Sequence, residues 1–141
     1  MLLDFINDVC NMLKIESPDI SYDTSNFQTD TTLAQTKSDG STIYIRLLPT
    51  AKPELFLSIS HELRHVWQIR LHPEKYLGNY KTRDDCTSLV EYNLQLAEVD
   101  ANAFASIVMM KFFKMKPIFK EFPETVRAAI NKRIDVMKTF Y

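Results

Sequence analysis

The sequence predicts one α+β domain spanning residues 1–141. Three observations carry that expectation. Apolar residues recur at helical spacing in several long segments, an Asp-Gly turn sits between β-forming residues, and no repeat, low-complexity tract or linker divides the chain. At 141 residues and 45% hydrophobic content the chain is of ordinary domain size and can bury a core without disulfide staples.

Leu2, Leu3, Phe5, Ile6, Val9 and Leu13 predict a first helix over residues 2–15, ended by Ser17 and Pro18. Asp4 and Asp8 interrupt its apolar run and no basic segment precedes it, so it reads as an amphipathic helix and not as a signal peptide. Residues 19–30 are polar, with Ile20, Tyr22 and Phe27 as anchors for a short strand or irregular edge. Asp39-Gly40 is a strong hairpin signal, because glycine readily takes the positive φ of a tight turn. Strands over 31–37 and 41–48 follow, the second carrying Thr42, Ile43, Tyr44 and Ile45, and together they predict a small antiparallel sheet. Pro53 suits a first helical position, and Leu55, Ile59, Leu63, Val66 and Ile69 mark an apolar stripe to about residue 71. Residues 72–85 read as a loop. The longest helix is expected over 88–114, rich in Leu and Ala and free of internal Gly or Pro, and a basic helix over 124–139 closes the chain after Pro117 and Pro123.

Composition narrows the function classes. Cys10 and Cys86 are far apart and form no CxxC pair, which argues against a disulfide framework, a zinc ribbon or a thioredoxin-type site and suits two buried thiols in a reducing cytoplasm. No run approaches the roughly 18 uninterrupted apolar residues of a membrane span. The net charge of -1 hides an asymmetry: residues 111–141 carry 8 basic and 3 acidic side chains, while the rest of the chain is acidic. Lys111, Lys114, Lys116, Lys120, Arg127, Lys132, Arg133 and Lys138 could face an acidic protein partner, the acidic body of the same domain, or water, and a solvated helix face is the simplest reading. No nucleic-acid-binding pattern stands out.

The sharpest signal is His61-Glu62-Leu63-Arg64-His65, an HExxH motif inside a segment independently read as helix. Positions i and i+4 lie one above the other on a helix face, so His61 and His65 can direct imidazole nitrogens at one metal ion. Glu62, one step round, can reach a water on that ion. A catalytic zinc needs a third protein ligand with one position left open, and the later helix offers Glu98, which shares a face with Ala101, Asn102 and Ala105. The alanines permit close approach of the two helices, and Asn102 can hydrogen-bond a ligand histidine. Asp100 lies about 200° round from Glu98. Its face carries Tyr92, Leu96, Phe104 and Val108, where pairing with a surface base or a loop amide is expected.

HELRH followed by ExxANxFA resembles the gluzincin metallopeptidases, more narrowly the minigluzincins and the ImmA/IrrE-like proteins. The second motif is also similar to the ExxAD segment of the CAAX-prenyl endopeptidase relatives, with Asn102 in place of Asp. The likeness covers residues 30–110. It implies a minigluzincin-like fold, one Zn2+ per chain held by His61, His65 and Glu98, and Glu62 as the catalytic base acting on a peptide or protein substrate. Two departures stand out: Arg64 occupies a position where ImmA/IrrE-like proteins often have Gly, and no residue matches the Tyr or His with which larger gluzincins stabilise the oxyanion. His72, Tyr76, Tyr80 and Tyr92 are the local candidates, each read first as packing or surface.

Arg64 could hold a substrate carboxylate or carbonyl, though an exposed salt bridge to a neighbouring acid is the simpler role, and Trp67 reads as a core anchor. The expected function is zinc-dependent peptide-bond hydrolysis. The alternative is a zinc-bearing regulatory or partner-binding protein of phage or mobile-element type, with little peptidase activity.

Overall fold

The computed structural model describes residues 1–141. In chain order its elements are α1 (Leu2–Leu13), β1 (Asp19–Ser21), β2 (Ala34–Thr36), β3 (Thr42–Ile45), α2 (Pro53–Leu71), α3 (Pro73–Leu77), a 3-10 turn at Arg83–Asp85, α4 (Leu89–Asn93), α5 (Leu96–Phe113) and α6 (Glu124–Met137). Six α-helices and a three-stranded sheet make the α+β class expected from the sequence. No helix is long and apolar enough to cross a membrane.

Helix α1 buries Phe5, Ile6, Val9, Cys10 and Leu13 on one stripe and stops at Lys14, whose left-handed conformation (φ 56°) lets its own amide and that of Ile15 cap the last turn. It thus ends before Ser17 and Pro18. Cys10 is buried, as expected, whereas Cys86 is only partly so.

The sheet is mixed and not purely antiparallel. Strand order is β1-β3-β2, with β2 antiparallel to β3 through the expected hairpin and β1 parallel to β3 in the register Ile20↔Ile43. A parallel pair needs a long connection between its strands, and the whole hairpin arm from residue 22 to residue 41 serves as that connection. Both hairpin strands are shorter than their apolar patterns suggested. Gly40 sits in the turn at φ +74°, and a Cβ there would meet Ile69 Cγ2 at 3.0 Å. Arg70 Nε donates to the Gly40 carbonyl at 3.1 Å, so the turn is fastened to α2 from both sides.

Ile43, Ile45 and Ala34 turn inward toward α2, whose Leu55, Phe56, Ile59 and Leu63 join one cluster of 22 buried residues with α1, α5 and α6. Two expectations about the second half of the chain change. Residues 73–77 form α3 where a loop was expected, and the predicted helix over 88–114 is broken at Leu94 and Gln95 into α4 and α5, leaving α2 as the longest helix. Gln95 adopts extended backbone (φ -60°, ψ 144°) and uses its side chain on the neighbouring loop: Lys81 N donates to its Oε1 at 2.7 Å, and its Nε2 donates to Lys81 O at 2.9 Å. Helix α5 is buried all round from Ala97 to Met109, so it forms the centre of the helical layer. Helix α6 spans Glu124–Met137 and lays Val126, Ile130, Ile134 and Met137 on the core.

Candidate metal centre

Both histidines come from one turn of α2 and face the N-terminal turn of α5. His61 Nε2 and His65 Nε2 lie 3.0 Å apart. Glu98 Oε1 is 3.2 Å from the first nitrogen, and Glu98 Oε2 is 3.0 Å from the second. A tetrahedral ion held at about 2.0–2.1 Å sets its ligand atoms roughly 3.3 Å apart; each imidazole nitrogen lies near that distance from its own Glu98 oxygen, and one donor atom from each of the three residues lies within 4.8 Å of the others. His61, His65 and Glu98 therefore form a group that can hold a metal ion.

The outer shell fixes which nitrogen faces inward. Gln68 Nε2 donates to Ala97 O and to Asp100 Oδ2, so its Oε1 must be the atom turned to His65 Nδ1 at 2.8 Å. His65 Nδ1 thus carries a proton and donates it, leaving Nε2 toward Glu98. His61 Nδ1 likewise donates to Asn102 Oδ1 at 2.7 Å, the role expected of Asn102. Such partners set the tautomer and orientation of ligand histidines.

Protein charges hold the cluster together electrostatically. Burial alone pulls the His65 imidazole down, but the Glu98 carboxylate, with Glu62 and Gln68, pushes it up to about 10. Burial raises Glu98, yet the two histidines bring it well below the usual carboxylate range. Glu98 is 2% exposed, an anion that needs cationic partners to remain buried.

Glu62 stands at the rim. Its Oε2 is 3.8 Å from His61 Nε2, and its Oε1 accepts from Thr36 N and Thr36 Oγ1, both at 2.9 Å. The edge strand β2 thereby orients the carboxylate, a tie between positions 26 residues apart that no local pattern signals.

Of the four candidate oxyanion donors, Tyr80 and Tyr92 lie at the site. Tyr80 donates its hydroxyl to Glu98 Oε2 at 2.9 Å, so at the 3.1 Å contact between the two phenols Tyr92 is the donor. Burial first, and the Glu98 charge second, push both phenols up, keeping them protonated. The other two lie elsewhere: His72 packs on Trp67 with ring centres 4.4 Å apart, and Tyr76 joins the surroundings of Asp100. A cleft of about 760 Å³ opens beside the cluster, bounded by β2 on one side and by Leu77, Tyr80, Thr82 and Tyr92 on the other.

Arg64 and Asp100 depart from expectation. Arg64 is buried and turned away from the cleft; its Nε and Nη2 donate to the two Asp100 oxygens at 2.7 and 3.2 Å. Asp100 is fully buried and also accepts from Gln68, Tyr76 and Arg133. Because α5 is enclosed on every side, a residue opposite Glu98 faces a second interior and not the surface. Arg133 meets that interior, so one member of the basic tail pairs with the acidic body, while Lys111, Lys114, Lys116, Lys120, Lys132 and Lys138 are exposed as read. Trp67 is partly buried against the core and carries the Arg64 guanidinium 3.6 Å above its ring.

No protein-family model matches this chain, and no curated protein and no solved structure matches it.

Proposed function

We propose that this chain is a zinc-dependent peptidase of the gluzincin type, with His61, His65 and Glu98 as metal ligands and Glu62 as general base. The observation that supports it most is the pairing of a compact cluster of two Nε2 atoms and a carboxylate with a second carboxylate just outside that cluster. Thr36 engages only Glu62 Oε1, and the other oxygen, Oε2, lies 3.8 Å from His61 Nε2, a placement that a purely structural zinc site does not require.

When bound, zinc supplies Lewis acidity, drawing the pKa of water toward neutrality and polarising a carbonyl. The chain's own residues do the rest. Glu62, held through Oε1 by Thr36, takes a proton from the attacking water at Oε2 and hands it to the leaving amine nitrogen. Gln68 and Asn102 keep both imidazoles turned inward. Tyr80 fixes the Glu98 carboxylate. The edge position of β2 suits an extended peptide laid along the cleft.

Metal analysis of purified protein together with proteolysis of an unstructured test protein decides the matter. About one zinc per chain, lost in His65→Ala, and cleavage lost in Glu62→Gln with zinc retained are the expected results. Equal cleavage by Glu62→Gln overturns the mechanism, and absence of cleavage by either protein favours the partner-binding reading.

A further inference from the structure

A second cavity, of about 600 Å³, lies behind α2 and shares no lining residue with the metal cleft. Its volume falls in the range of small-molecule sites. Its walls are largely apolar, and no acidic side chain is among its lining residues. Lys14, Lys75, Arg64 and Arg133 supply the charge. The buried Asp100 beneath is already shared between the two arginines.

We propose that this cavity binds a small carboxylate carrying an alkyl or aryl body. The head-group chemistry follows from the cations. Lys14 and Lys75 form no ion pair within the chain. Arg133 commits Nε and Nη2 to Asp100 and Tyr76, which fixes its guanidinium plane and leaves Nη1 without a protein partner. An arginine held in that way presents N–H donors to a carboxylate with little further loss of freedom. The body chemistry follows from the walls. Phe140 and Val136 are 76% and 49% exposed at the rim while Leu13 and Met137 lie buried behind them, so the apolar surface open to a ligand is at the rim, backed by core side chains. A cationic amphiphile would meet uncompensated positive charge, and a hydrophilic anion would leave those walls wet.

Trp67 lines the cavity and is the only tryptophan in the chain, so its emission reports occupancy directly. Octanoate is the probe, with octylamine and acetate as controls. Octanoate should change Trp67 emission saturably, with acetate and octylamine each at least about tenfold weaker. The double charge reversal Lys14→Glu with Lys75→Glu should weaken octanoate by about tenfold or more in a protein that is still folded by circular dichroism, since neither lysine forms an ion pair in the fold and Lys75 only lies over the Tyr76 ring at 5.3 Å. Val136→Gln, at the exposed rim, tests the apolar wall without adding charge and should weaken octanoate several-fold. Equal affinity for octanoate and octylamine, wild-type affinity in the charge-reversed protein, or no saturable response of Trp67 overturns the proposal. The test uses no metal and no peptide, so its result is independent of the peptidase reading.

Discussion

Thr36 holds Glu62 in place from across the fold: its backbone N–H and its hydroxyl both donate to Glu62 Oε1, and the hydroxyl also reaches the Glu62 carbonyl at 3.0 Å. Three contacts tie the edge strand to the residue beside the metal cluster. Thr36→Val removes the hydroxyl while keeping shape and the backbone donor. Loss of hydrogen bonds of this kind costs about 1 kcal/mol of stability. On the proposed mechanism peptidase turnover should fall about tenfold, with zinc content unchanged, because Glu62 keeps its carboxylate but loses its orientation. Steady-state kinetics and zinc analysis of the same preparation check both halves.

Glu98→Ala and Asp100→Ala should separate cleanly. The first removes a donor atom and should weaken zinc affinity by about tenfold or more. The second leaves all three donors in place but strands two guanidinium groups, and breaking a buried pair of this kind costs roughly 3–5 kcal/mol. Zinc titration and thermal melts of both variants are the measurements, and a reversed order would mean that the two carboxylates exchange roles.

Zinc uptake should weaken as pH is lowered. Glu98, Glu62 and Gln68 favour a protonated His65 against the pull of burial, and that proton must leave before Nε2 can bind a metal. Apparent zinc affinity should therefore climb through the neutral and mildly alkaline range. Competition with a chelator of known pH behaviour measures the slope.

Acid should erase the contribution of Asp100. Burial raises its carboxyl, but the Arg64 hydrogen bonds and charge, aided by Gln68 and Arg133, bring it below the ordinary value. A group lowered on folding stabilises the protein above its unfolded pKa and loses that contribution as pH falls through the folded one. The melting-temperature gap between wild type and Asp100→Asn should thus be full at neutral pH and narrow below about pH 4. Thermal melts across that range give the curve.

Gln95→Ala should loosen the loop that carries Tyr80. It removes two side-chain hydrogen bonds to Lys81, worth about 1 kcal/mol each. Hydrogen exchange at the Lys81 amide should accelerate, while amides in the middle of α5 keep their protection.

Much of this arrangement was legible in the sequence because it is written in local periods. The stripe of α1, the Asp39-Gly40 turn and the i, i+4 histidines each announce themselves within a few residues, and Glu98 with Asn102 forms one helical face. What escaped depends on partners distant in sequence. The parallel pairing of β1 rests on three residues with no distinctive alternation. The break at Gln95 is made by a side chain bonding a loop 14 residues earlier, without the Gly or Pro that usually marks a helix end. Asp100 looked surface-directed because a face argument assumes an outside, and α5 has none. Gln68, at i+3 from His65, could have been read from its spacing.

The fastening of Gly40 to Ile69 and Arg70 makes the two banks of the cleft mechanically unequal. The β2 bank is fastened to the histidine helix at the hairpin turn and again at Thr36, so strand, Glu62 and imidazoles are tied into one unit. The opposite bank, from Gly78 to Gln95, is mostly exposed; the Gln95 amide braces it internally at Lys81, and the Tyr80 hydroxyl ties it to Glu98 of α5. Accommodation of a bulkier chain in the cleft must then come from that second bank alone, and redesign of the cleft's width belongs in residues 78–95, with the hairpin left as the fixed jaw.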